Sequence, residues 1–172
     1  LSKERTDKGA LQSTAPKRTH FVWDGSRLLQ EHNYRGNYTY VYTDQDSYEP
    51  LAQIFYNAKD EQQYLAYFHN DQIGIPKEMT DQFGNLVWYG EYTAWGKLHK
   101  DERVYQYAHQ PFRLQNQYFD EETGLHYNFF RYYEPDSGRF VHQDPIVLQG
   151  GDNLYQFAVN IQNWVDPLGV VR

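Results

Sequence analysis

The chain has 172 residues, enough for one domain with a modest core, and its 16 Lys and Arg against 23 Asp and Glu give a formal charge of −7. That balance argues against a phosphate-binding surface, and so against nucleic acid as a partner. The absence of cysteine excludes a disulfide scaffold and thiolate metal sites, and no apolar run nears the roughly 18 residues needed to cross a bilayer.

Leu1 to Thr19 holds seven charged residues, five of them basic, and no aromatic. It is too polar for a signal peptide and reads as a linker or the frayed end of an upstream strand. A first residue of Leu suggests a trimmed product or an excerpt.

From His20 the texture changes. Seventeen Tyr, ten Phe and four Trp stand against one Met, and large rings with polar handles suit half-buried pleated surfaces. Aromatic and β-branched residues alternate with polar ones in "THFVWDGSRLLQEHNY", "GNYTYVYTD", "QQYLAYFHND", "GNLVWYGEYTAWGKL", "VYQYA" and "GLHYNFFRYY". This predicts a mainly β fold, an antiparallel meander of hairpins. The connections "NDQIGIP", "TDQFGN", "DEETG" and "EPDSG" are rich in Asp, Gly and Pro, as turns with a positive φ require. A loose echo of Asp, short spacer, Gly and apolar residue recurs, but at irregular intervals that exclude a fixed-period solenoid.

The last third differs. In "GGDNLYQFAVNIQNWVDPLG", Asp152 or Asn153 can cap a short helix that would place Leu154, Phe157, Ala158 and Ile161 on one face. Asp-Pro dipeptides at 144/145 and 166/167 bracket it, and both aspartates should sit in extended or turn backbone. Taken alone, each Asp-Pro fits a turn whose side chain accepts backbone hydrogen bonds. None of the seven histidines forms a metal-binding pair at helical spacing, and no nucleophile elbow, P-loop or dinucleotide fingerprint is present, so no cofactor or metal is expected.

The ordered series "YFHNDQIGIPKEMTDQFGNLVWYGEYTAWGKL", "QYFDEETGLHYNFFRYYEPDSGRFVHQDPI", "GGDNLYQFAVN" and "NWVDPLG" resembles the Rhs / YD-repeat family, in particular its RHS-repeat-associated core. The resemblance divides the chain into the linker at 1–19, YD-like strands over 20–63 and the core over 64–172. It implies part of a β-shell around a C-terminal toxic effector, as in type VI secretion effectors and the cage of Tc toxins. It also implies a self-cleavage of aspartyl-protease type just after a DPxGL motif, here between Val170 and Val171, with Val170 where the family has Leu. The positions matching the family's motif are Asp144 and Asp166 as the carboxyl pair, with Arg139 to orient the substrate carbonyl or bias their ionisation.

Two close carboxyls suit amide hydrolysis because their like charges cannot coexist, leaving one ionised to activate water and one protonated to polarise the carbonyl. Asp152, a third acidic candidate, suits helix capping better. The resemblance further implies, as partners, the rest of the shell, the effector and an immunity protein. It implies a location in the bacterial cytoplasm before export by a contact-dependent or toxin-delivery system. The rival reading is a structural shell or binding module in which both aspartates are turn residues.

Overall fold

A computed structural model describes residues 2–5, 17–105, 108–146, 153–157 and 166–170. Nine strands form one antiparallel sheet in which spatial order equals chain order: β1 (Ser2–Arg5), β2 (Lys17–Asp24), β3 (Arg27–Asn33), β4 (Gly36–Tyr42), β5 (Pro50–Asn57), β6 (Gln62–Asn70), β7 (Pro76–Asp81), β8 (Leu86–Tyr92) and β9 (Leu98–Arg103). A second sheet of four short strands follows: β10 (Tyr118–Phe119), β11 (His126–Asn128), β12 (Arg131–Glu134) and β13 (Arg139–Phe140). Two of these strands fall in the polar stretch expected as a linker or strand end: β1 lies within residues 1–19, and β2 begins there at Lys17.

Period-two alternation decides which face each strand buries. In β4, Tyr38 and Tyr40 are buried while Asn37 and Val41 are exposed. Tyr38 pairs with Phe55 of β5, and their rings stack at 4.3 Å between centroids. Leu28, Phe68, Met79, Val87 and Trp88 extend this core across the sheet. The loop before the second sheet closes it: buried Phe112 sets its ring edge-to-face against Tyr40 (4.7 Å) and Phe68 (5.8 Å). On the other face of the long sheet, Val41, Tyr56 and Tyr67 remain exposed. A second core of Ile75, Leu114, Tyr133, Phe140 and Phe157 unites the turn before β7 with the small sheet.

One acid sits within the long sheet's core. Glu31 of β3 is 1% exposed and accepts from Tyr40 Oη (2.5 Å) and Tyr118 Oη (3.0 Å), with His109 Nε2 3.2 Å from each carboxylate oxygen. Burial pushes its pKa up, but the charge and hydrogen bond of His109, with the two phenols, hold it below the ordinary value.

Three turns of the meander share one construction. In Asp71–Ile75 and Asp81–Asn85 the fourth residue is Gly with φ of +80° and +83°. Its N–H donates to the carbonyl of the first residue, at 3.0 and 3.1 Å. The first residue's N–H donates to the carbonyl of the fifth, at 2.9 Å in both. The aspartate Oδ1 accepts from the N–H of the third and fifth residues, at 2.8–3.0 Å. Thr93–Lys97 repeats the plan, with Gly96 at φ +77° and Thr93 Oγ1 accepting from Lys97 N at 3.2 Å. Asp and Thr serve because a short side-chain oxygen can satisfy the inward amides of so tight a turn.

The described part of the segment expected as a helix is otherwise built. Asn153–Phe157 is a turn leading into an isolated bridge between Gln156 and Arg139. Its carbonyls accept from Phe140 N (Tyr155 O, 2.9 Å) and Asp144 N (Leu154 O, 2.9 Å). Pairing to β13 claims these groups and brings Phe157 onto Tyr133, which is a different use of the apolar spacing from a helix face. Asp152 and residues 158–165 lie outside the described residues.

Candidate active site at the DPLGV tail

The small sheet buries charge. His126 and Asn128 on β11, and Arg131 and Tyr133 on β12, alternate inward with relative exposures of 2% or less. His126 Nδ1 lies 2.8 Å from Gln117 Oε1, and burial followed by the charge of Arg113 brings its pKa down to about 3, so the ring is neutral and donates to the amide oxygen.

Arg131 is the hub. Its guanidinium lies over the Phe140 ring at 3.6 Å, and Nη1 donates to Leu154 O at 3.2 Å. Nε donates to Gly169 O. Nη2 stands 3.1 Å from Asp144 Oδ2 and 3.7 Å from Asp166 Oδ2. The two aspartates expected to act together therefore meet on a single nitrogen, with side-chain exposures of only 3% and 10%. Arg139 does not join them. It pairs with Glu134 on the outward face of β13 and is exposed, whereas Phe140 beside it points in. A one-residue step along a strand reverses the face, and Arg131, two residues from inward Tyr133, holds the position expected of Arg139.

The carboxyls differ in their surroundings. Asp144 Oδ1 accepts from Ile146 N at 3.0 Å. Asp166 Oδ1 accepts from Val170 N at 2.9 Å, while its buried Oδ2 has no hydrogen bond among the described residues. Burial, with a smaller contribution from the charge of Asp144, raises the pKa of Asp166 against the pull of the Val170 and Gly169 amides and Arg131. Burial likewise lowers Arg131, and the two carboxylates counter it. The upward push thus falls on a carboxyl whose Oδ2 is the buried oxygen without a hydrogen bond among the described residues.

The tail is pinned residue by residue. Asn128 Nδ2 donates to Asp166 O (2.9 Å), Asn116 Nδ2 to Pro167 O, Phe130 N to Leu168 O (3.3 Å) and Arg131 Nε to Gly169 O. Gly169 has φ +67°, and a Cβ there would come within 2.5 Å of Asn128 O, so no other residue fits. Val170 is half-buried at the end of this path, and Val171 lies outside the described residues. Asn116, Asn128 and Arg131 escaped the sequence reading. The available signal was the alternation in "HYNFFRYY", which puts polar side chains on the face of Tyr133. Among the described residues no three His, Asp or Glu gather as ligands for a metal ion.

Comparison with known proteins agrees with this architecture. The family model described as "RHS protein" matches residues 65–102. The chain is 43% identical over 164 residues to double-stranded DNA deaminase toxin A of Burkholderia cenocepacia, covering 87% of this chain and 11% of that protein. It is 42% identical over 108 residues to toxin protein Tse5 of Pseudomonas aeruginosa, covering 62% of this chain and 8% of that one. It therefore spans about a tenth of the length of these relatives. The crystal structure of TcdB2-TccC3 without its hypervariable C-terminal region superposes with a TM-score of 0.75 at 20% identity, over 98% of this chain and 8% of that one. Sequence and fold agree: the chain belongs to the Rhs family, as a segment of its core domain.

Proposed function

We propose that this segment is the end wall of a shell around a toxic effector and that it severs the polypeptide once, between Val170 and Val171. The observation that carries this reading is the meeting of Asp144 and Asp166 on Arg131, with Asp166 also holding the N–H of Val170. The names of the relatives, a DNA deaminase toxin and a toxin protein, support an effector as the enclosed partner, and the fold shared with TcdB2-TccC3 supports the shell.

In this mechanism ionised Asp144 takes a proton from water as the water oxygen bonds to the Val170 carbonyl carbon. Protonated Asp166 polarises that carbonyl. The C–N bond to Val171 then breaks as Asp144 passes the proton it took from water to the departing nitrogen, Asp166 keeps its own, and the products are a carboxyl on Val170 and an amine on Val171. Arg131 stabilises the single negative charge and fixes both carboxyls in place. The remaining shell and an immunity protein are the further partners, with export from the bacterial cytoplasm by a contact-dependent or toxin-delivery route. No helix among the described residues is long and apolar enough to cross a membrane.

The same ion cluster could instead be a bolt that only joins the tail to the small sheet. A chain carried on past Arg172 into a reporter separates the two. Mass spectrometry should find the cut after Val170, abolished by Asp144→Asn and by Asp166→Asn with far-UV CD unchanged. A cut that persists in both variants defeats the proteolytic reading and leaves the bolt.

A further inference from the structure

The tail copies the turns of the wall that it ends. Asp166–Val170 has the aspartate at its first position and a left-handed Gly at its fourth, as do Asp71–Ile75 and Asp81–Asn85. Gly169 N donates to Asp166 O at 3.3 Å and Val170 N to Asp166 Oδ1 at 2.9 Å. The equivalent bonds are 3.0 and 3.0 Å in the Asp71 turn and 3.1 and 2.9 Å in the Asp81 turn.

Two features separate the tail from those hairpins. In each hairpin the first residue's N–H donates to the fifth carbonyl, that of Ile75, Asn85 or Lys97. Among the described residues no donor reaches the Val170 carbonyl. The tail is also held from the side, by Asn128 and Asn116, whose amides hold the carbonyls of Asp166 and Pro167.

We infer that the cleavage motif is a repeat turn opened at its fifth carbonyl, and that Asn116 and Asn128 are positioning residues that hold it open. This rests on the proteolytic reading and deepens it. The hairpin turns carry the same side-chain oxygen on the same amide, yet their fifth carbonyl already accepts the first residue's N–H. At Val170 no donor among the described residues takes the carbonyl, the turn's own aspartate holds the same residue's N–H, and Asp144 supplies the other acid. The motif thus needs the turn geometry and Asp166 more than it needs Pro167, Leu168 or Val170.

The test uses the chain continued past Arg172. The triple variant P167Q/L168F/V170N gives the tail the sequence of the Asp81 turn, and it should still be cut after residue 170, within about tenfold of the original rate. Asn116→Gly, which keeps the left-handed backbone at φ +62°, and Asn128→Ala should each slow cutting about tenfold, the worth of one carbonyl hydrogen bond. Their pH–rate profiles should not move. In an uncut Asp144→Asn background, both should also speed hydrogen exchange at the Val170 amide.

Loss of cutting in a folded triple variant, or full-speed cutting in the asparagine double variant, overturns the inference. If the unsubstituted chain is never cut, the proteolytic reading fails. The exchange rate at Val170 then still decides whether the asparagines hold the turn: unchanged exchange refutes it.

Discussion

Two buried acids divide this molecule. Glu31, in the long sheet, is surrounded by donors on both oxygens and held below its ordinary pKa. Asp166, in the small lobe, has one oxygen on a backbone amide and the other without a hydrogen bond among the described residues, and is pushed above its ordinary value. The first is the chemistry of an anchor, since a buried carboxylate whose two oxygens are both hydrogen-bonded is held in its charged form. The second is biased by burial toward its neutral form, beside the N–H of Val170. The difference follows from what surrounds each acid: Tyr40 and Tyr118 supply hydroxyls to Glu31, whereas Asp166 has the Val170 amide and, from β12, a guanidinium shared with a second carboxylate.

The sharpest way to break the comparison is at Arg131. Arg131→Met leaves Asp144 and Asp166 buried without their cation and should cost about 3–5 kcal/mol in urea unfolding. Adding D144N and D166N should recover most of that loss, because the desolvated charges are gone. A single substitution that proves neutral would mean that the cluster is wetter than the structure implies.

Glu31→Gln tests the anchor, at about 1–3 kcal/mol near neutral pH. A carboxyl whose folded pKa is lowered contributes stability above its unfolded value, 4.5, and loses it as pH falls through the folded value. The gap between wild type and variant should therefore close on acidification, and a gap that widens toward acid would reverse the assignment. Met79, fully buried in the long sheet, gives the smallest effect: Met79→Leu should cost less than about 1.5 kcal/mol. Wall interiors accept an apolar swap, and a thermal shift as large as that of Arg131→Met would erase the distinction.

The parts of the fold that were legible in the sequence are those where burial leaves a period. β4 reads directly from "GNYTYVY", because Tyr38 and Tyr40 must share a face. β9, "LHKDER", shows no such pattern, since its side chains are largely exposed and the strand is held by backbone pairing to β8. At the site, Asp144 and Asp166 were found through the family motif, as no spacing rule joins residues so far apart. Arg131 was missed because a charge among aromatics looks solvent-facing until the pairing of Tyr133, two residues on, with Phe140 fixes its face. The expected helix rested on Leu154 and Phe157, and an apolar pair three apart also fits a turn that drops one ring into a core.

The matching of spatial order to chain order in the long sheet has a consequence for synthesis on the ribosome. Each new strand finds its neighbour already in place, so the wall can grow hairpin by hairpin from the emerging end with little loop entropy to overcome. Asn116, Asn128 and Arg131 all precede the residues they grip. Residues 166–170 are consequently gripped only after all three have been made, so the geometry that the proposed cut relies on comes after the sheets that hold it.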